Sequence, residues 1–210
     1  MLRAAALTLV LTLAAPLPAL AAGYDGSWYR ADFWSGEYPH GFSVTADVTV
    51  MLRSLPRPDA ARETECALPK GAVYHPWNAE RVDADKLLFW SFNKKVAYRL
   101  KTALTATLSD NATSSDVTVN FPKGARWTYL AYLGEGAFLL AYKGKVYVGD
   151  QDLIEASAAS GPTDTEADEW LRLTCANKVK GWLLIRDLAG VTGIGDPNIA
   201  GYGEASDLPK

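Results

Sequence analysis

Apolar and polar residues alternate with a period of two in Phe42-Ser43-Val44-Thr45, in Val96-Ala97-Tyr98-Arg99-Leu100 and in Leu104-Thr105-Ala106-Thr107-Leu108. That period predicts strands with one buried face. Turn-forming residues separate the runs at short intervals, at Pro56-Arg57-Pro58-Asp59, Ser109-Asp110-Asn111, Lys143-Gly144 and Ala176-Asn177. Short strands with dense punctuation are the pattern of a small antiparallel barrel or sandwich. Only Asn78 to Lys86 and Thr163 to Trp170 have the composition of short helices. Thr163 would cap the second, with Asp164, Glu166, Asp168 and Glu169 near its positive end. The expected class is mostly β.

One apolar run interrupts this rhythm. Ala4 to Ala15 is apolar except for Thr8 and Thr12, follows Arg3, and is broken by Pro16 and Pro18. The run is too short to span a bilayer. Ala19-Leu20-Ala21 is the small-x-small pattern of a signal peptidase site, so residues 1–21 read as a signal peptide cleaved after Ala21. A retained anchor is the alternative; the polar residues Tyr24-Asp25-Gly26-Ser27 that follow at once weigh against it. No cysteine lies near the cleavage site to accept a lipid. The mature chain is therefore expected to be periplasmic or secreted, with no stable membrane insertion. Cleavage leaves 210 − 21 = 189 residues, with 20 Lys+Arg against 24 Asp+Glu. That length suits one large domain or two small ones. The cations are scattered and form no basic stripe, so nucleic acid is not an expected partner.

Export changes how the two cysteines are read. Cys66 and Cys175 lie 175 − 66 = 109 positions apart, and a lone pair in an oxidising compartment is most simply a disulfide. In the chain-entropy model a bridge closing so long a loop contributes about 4–5 kcal/mol. A catalytic thiol is the sharper alternative and needs a histidine with an orienting partner. His40 and His75 are the only histidines, and neither sits in a catalytic motif. Close Cys or His pairs of the metal-binding kind are missing too, so no metal and no cofactor is expected.

The chain also repeats itself. Val48 to Ala72 aligns without gaps on Lys101 to Ala125 at an offset of 53, and both copies end in Pro-Lys-Gly-Ala, at Pro69 to Ala72 and Pro122 to Ala125. The second copy continues through Trp127-Thr128-Tyr129-Leu130, a Gly134-Glu135-Gly136 turn, Phe138 to Tyr142, a Lys143-Gly144 turn and Tyr147 to Leu153. The first breaks off after Tyr74 to Trp77. Its second half reappears in Trp170 to Cys175 and Gly181 to Leu188, where Trp182 matches Tyr147 and Asp187-Leu188 matches Asp152-Leu153.

These residues resemble the bacterial SH3-like domains common in exported envelope proteins. One copy carries the resemblance in Leu68-Pro69-Lys70-Gly71, Trp170-Leu171-Arg172-Leu173 and Gly181-Trp182-Leu183, the other in Phe121-Pro122-Lys123-Gly124 and Tyr147-Val148. It covers roughly 48–77, 101–155 and 168–188. Arg53-Ser54-Leu55-Pro56 stands where the family has Arg-x-Gly-Pro. The resemblance implies two small SH3-like barrels, one inserted into the other. A split barrel of 42–78 plus 166–190 would surround an inserted barrel at 96–155, with an aromatic arm at 22–41 and a tail at 191–210. Cys66 and Cys175 would then staple the two pieces of the split barrel. Two sequential modules with a degenerate third, or an unrelated single β fold, are the other arrangements the pattern allows.

Catalytic patterns are sparse. Glu135 sits on a hairpin-like turn, Asp150-x-Asp152 lacks the remaining ligands of a calcium loop, and no G-x-S-x-G, H-E-x-x-H or phosphate loop occurs. The segment from Tyr24 to Phe42 is richer, with Tyr24, Trp28, Tyr29, Phe33, Trp34, Tyr38 and Phe42 among Gly, Asp and Pro. It suits either a packed irregular arm or a stacking surface. In the second case Trp28, Trp34 and Tyr38, with Trp77 and Trp127, would line a groove for an extended ligand. The expected function is therefore non-enzymatic binding or scaffolding in the bacterial cell envelope, with an envelope protein, a peptide or a cell-wall glycan as partner. The alternative is an accessory factor or inhibitor of an envelope hydrolase, or a hydrolase using the carboxylates of its turns.

Overall fold

Val96 to Leu100, the clearest alternating run, is a strand whose residues are buried and exposed in strict turn. The computed structural model describes residues 23–34, 36, 41–74, 87–163 and 167–195. The expected signal peptide, Tyr38, His40, the segment 75–86 with His75 and Trp77, residues 164–166 and the tail beyond 195 lie outside the described residues. Three antiparallel sheets make up the fold, and none closes on itself through strand pairing. The first has the order β1 (Trp28–Ala31), β6 (Leu87–Lys94), β14 (Asp168–Thr174), β15 (Lys180–Leu184), β3 (Val48–Arg53), β4 (Arg62–Leu68). The second runs β13 (Ser157–Ala159), β7 (Val96–Leu100), β10 (Arg126–Gly134), β11 (Ala137–Tyr142), β12 (Lys145–Gly149), β8 (Leu104–Asp110), β9 (Ser115–Phe121). A small third sheet joins β16 (Ile194–Gly195), β2 (Phe42–Val44) and β5 (Val73–Tyr74). Among the described residues the helices are one short α-helix, α1 (Gln151–Glu155), and one 3₁₀ helix (Ile185–Leu188).

Ranked by position along the chain, the six strands of the first sheet lie in the order first, fourth, fifth, sixth, second, third. The second sheet without β13 has the same order. The repeat seen in the sequence is thus a repeat of topology. It extends to single hydrogen bonds. Ala72 N donates to Pro69 O (3.1 Å) as Ala125 N does to Pro122 O (3.0 Å), and Gly71 and Gly124 take φ values of 85° and 80°, which favour glycine. Val44 pairs with Gly71 and Ala72 as Leu100 pairs with Gly124 and Ala125.

The register corrects two details. Val48 faces Leu68 as Leu104 faces Phe121, so β3 matches β8 at an offset of 104 − 48 = 56, whereas β4 matches β9 at 121 − 68 = 53. The connection 54–61 is longer than 111–114, and the gapless alignment slips in the first strand. Trp182 is also no counterpart of Tyr147. Tyr147 faces the core of the second sheet, whereas Trp182 lies on the opposite side of the first sheet from its core.

Each of the two large sheets has its own core, and the small third sheet packs into the first. Phe42, Leu52, Leu68, Phe89, Leu171 and Leu183 belong to the first, to which the chain returns after leaving it at β6. The second is built from 96–156 alone, around Leu108, Phe121, Trp127, Phe138, Leu140 and Leu153. A fully buried leucine or phenylalanine contributes about 1.5–3 kcal/mol. Leu188 and Leu153, matched in sequence, seal corresponding places in the two cores.

Cys66 and Cys175 form a disulfide, with Cα atoms 5.3 Å apart. The turn after Cys175 covers the outer edge of β4. Ala176 N donates to Ala67 O (3.0 Å), and Asn177 Nδ2 donates to Glu65 O (2.9 Å). In the second unit no corresponding bond reaches β9 among the described residues. The rings of Phe121 and Tyr142 meet there instead, at 4.4 Å.

Several expected boundaries move. The helix expected over Thr163 to Trp170 is replaced from Asp168 onward by β14, a strand buried on both faces. Leu171 and Leu173 enter the first core while Trp170 packs on the other side with Tyr24, Phe92, Trp182 and Leu184. Two buried faces favour a strand over capping energy of about 1 kcal/mol. Residues 87–94, expected outside both barrels, form a central strand. The expected tail begins with β16, paired to β2, and β13 carries the second sheet past 155.

Candidate functional site

The aromatic arm is mostly packed. Tyr24 is buried and stacks on Phe92 at 3.8 Å. Its hydroxyl donates to Asp168 Oδ2 and accepts from Trp170 Nε1, both at 2.8 Å, and Arg186 completes the pairing of Asp168. Burial therefore holds the Tyr24 phenol far above its ordinary range. Trp28 packs edge-on against Tyr24 at 5.1 Å, with the Lys94 ammonium 4.6 Å from its ring. Trp34 is half-buried against the first core. Trp127 is 2% exposed and belongs to the second core. Its Nε1 donates to Ser157 Oγ (3.0 Å), and its ring stacks on Tyr98 at 4.5 Å. The structure thus places Trp28, Trp34 and Trp127 against three different clusters. Trp127 lines no surface groove, because both ring faces and the indole N–H are engaged inside. Tyr38 and Trp77 lie outside the described residues.

A different aromatic group converges where the chain passes from the first sheet to the second. Lys95 alone separates β6 from β7, and the residues on either side open a cleft of about 200 Å³. Its walls are Asn93, Lys94, Val96, Tyr98, Tyr129, Tyr132, Ile154 and Thr163. A bulge assembles the tyrosines. β10 pairs Tyr129 with Leu140 and Ala131 with Leu139, so Leu130 is skipped. Tyr129 and Tyr132, three positions apart, then border one cleft instead of opposite faces of a regular strand. Burial and the neighbouring Tyr98 and Tyr132 push the Tyr129 phenol up to about 12, and burial raises Tyr98. The Tyr98 and Tyr129 phenols therefore hold their protons at neutral pH and can donate. Tyr132 Oη accepts from Gly136 N at 3.2 Å. Asn93 Nδ2 donates to Ser91 Oγ (3.0 Å), and Lys94 Nζ donates to Ser27 Oγ (2.7 Å).

A larger hollow of about 280 Å³ lies by Asp47, Thr49, Leu68, Pro69 and Ala176. It has no aromatic wall and little polar chemistry, so the smaller cleft is the better candidate.

The carboxylates of the turns have structural positions. Glu135 occupies the tip of the β10–β11 hairpin with φ 51°, and Asp150 caps α1 by accepting from Asp152 N at 3.2 Å. Among the described residues no three His, Cys, Asp or Glu side chains gather as a metal site, and no helix is long and apolar enough to cross a membrane. The buried charges were not visible in the sequence. Asp187 binds both Arg53 and Arg62, the latter at 2.6 Å, and the Arg53 guanidinium lies 5.4 Å from the Trp170 ring. These pairs join residues more than a hundred positions apart, and nothing local marks them.

Compared with known proteins, the chain matches no family model, no curated protein and no solved structure.

Proposed function

We propose that this chain is an exported, non-enzymatic binding or scaffolding protein of the bacterial cell envelope, built from two SH3-like barrels of which one is inserted into the other. The observation that carries the reading is the six-strand order written twice. In the first sheet the chain departs after β6 and returns at β14, between the strands that β10 and β11 occupy in the second, where a Gly134-Glu135-Gly136 turn suffices. An insertion at a hairpin tip disturbs a host least. The disulfide supports export, because such bonds persist in oxidising compartments. Fold alone does not determine function; the binding role draws on the aromatic cleft between the two units.

The test uses the mature protein, expected to begin at Ala22, mixed with purified cell-wall sacculi and with periplasmic extract. Co-sedimentation with sacculi or a specific envelope partner, without release of soluble wall fragments, supports the reading. Fragment release that disappears in the combined Glu135→Gln, Asp150→Asn and Asp152→Asn variant would replace it with a hydrolase.

A further inference from the structure

We propose that the cleft walled by Tyr98, Tyr129, Tyr132 and Asn93 binds one neutral sugar ring. The inference rests on the binding-protein reading and adds the ligand class. Space comes first: about 200 Å³ is room for about seven waters at about 30 Å³ each, or for a single six-membered ring rather than an extended peptide. The chemistry of the walls narrows the choice. Phenols and an amide both donate and accept, which matches the hydroxyl array of a sugar. Val96, Ile154 and the tyrosine rings offer apolar faces to its C–H surfaces.

Charge excludes the main competitors. Among the described residues no carboxylate lines the cleft, and Lys94 stands in its wall, so an organic cation is repelled. That ammonium is already bonded to Ser27 Oγ, lies over the Trp28 ring and sits in the field of Asp25, which leaves little for an anion. One feature asks for a ligand independently. Tyr98 is 7% exposed, and among the described residues no hydrogen bond engages its hydroxyl. A hydroxyl at the cleft wall without a protein partner is met by water or a ligand. The bulge at Leu130 has the same direction, since bulges re-aim side chains beside sites.

The experiment is an amide-resolved NMR titration of the mature, oxidised protein with glucose and N-acetylglucosamine, and with glucuronate and glucosamine as charged counterparts. The expected result is shifts confined to residues around 93–98, 129–132 and 154, with a Kd of about 1–10 mM for the neutral sugars. Tyr129→Phe, which keeps the ring, should weaken binding about tenfold, and Ile154→Trp, which fills the cleft, should abolish it while the rest of the spectrum stays folded. Absence of shifts at about 50 mM, shifts centred elsewhere, tighter binding of either charged sugar, or indifference to both variants would overturn the assignment. Sacculus binding separates the two readings. If Ile154→Trp still sediments with sacculi, the cleft assignment fails and the envelope role stands; if the wild type does not sediment and captures no envelope partner, the envelope role fails whatever the titration shows.

Discussion

The discontinuous unit and the contiguous one share a strand order but close themselves differently. In the first, β4 and the end of β14 are joined by the Cys66–Cys175 disulfide, and the 175–177 turn bonds the free edge of β4. In the second, Val119 stands where the offset of 53 puts the counterpart of Cys66, and the nearby contact is the ring of Phe121, the counterpart of Leu68, against Tyr142, with no covalent link. The difference follows from connectivity. A core drawn from one run of chain closes short loops, whereas the first core must bring 42–89 and 171–188 together across a long excursion, and that closure costs more entropy. The covalent bond lies where the entropy cost is greatest.

Removing the staple breaks this comparison most strongly. The Cys66→Ala/Cys175→Ala variant should lose about 4–5 kcal/mol, measured by urea unfolding, with the loss in the first unit; a loss below about 1 kcal/mol would show that the first core needs no bridge. Core truncations come next. Leu52→Ala and Leu140→Ala each remove a side chain that is 0% exposed and should cost about 2–5 kcal/mol. Amide exchange should rise in the first unit for Leu52→Ala and in the second for Leu140→Ala; a rise in both units for either variant would merge the two cores into one.

Two glycines sharpen the contrast further. A Cβ on Gly181 would lie 2.8 Å from Leu52 Cβ and 3.1 Å from Arg53 O, groups fixed to the backbone, whereas on Gly149 it would meet Leu140 Cδ2 at 2.6 Å, the movable end of a side chain. Gly181→Ala should therefore cost about 1–3 kcal/mol and Gly149→Ala less, read as the difference in Tm; the reverse order would contradict the packing described. The smallest effect at neutral pH is that of Tyr129. Its folded pKa of about 12 exceeds the ordinary 10.0, so the unfolded chain releases its proton first. The stability contribution is intact below pH 10 and is lost as pH rises toward 12. Tyr129→Phe should flatten that alkaline decline; an unchanged decline would place the titration elsewhere.

Strands with one wet face were legible because alternation survives in them, as in Val96 to Leu100. β6 was not, because Phe89 enters the first core while Trp90 and Phe92 pack on the other side, and a strand buried on both faces has no alternation to read. Asp168 and Glu169 looked like a helix start because the partners of Asp168 are not local: the Tyr24 hydroxyl lies 144 positions away and the Arg186 guanidinium 18. The disulfide followed from compartment and count. The tyrosine cleft was hidden by the bulge at Leu130, since a period-two reading sends Tyr129 and Tyr132 to opposite faces. Trp127 was one candidate for a ligand groove in the sequence, and the stack with Tyr98 and the bond to Ser157 place it in the core.

Native-state hydrogen exchange of the chain from Ala22 onward, oxidised and reduced, tests the two-unit account most directly. Reduction should raise exchange in 42–68 and 171–188 while the amides of 96–153 keep their protection. Equal loosening of both units, or unchanged protection in 42–68 and 171–188, would contradict it.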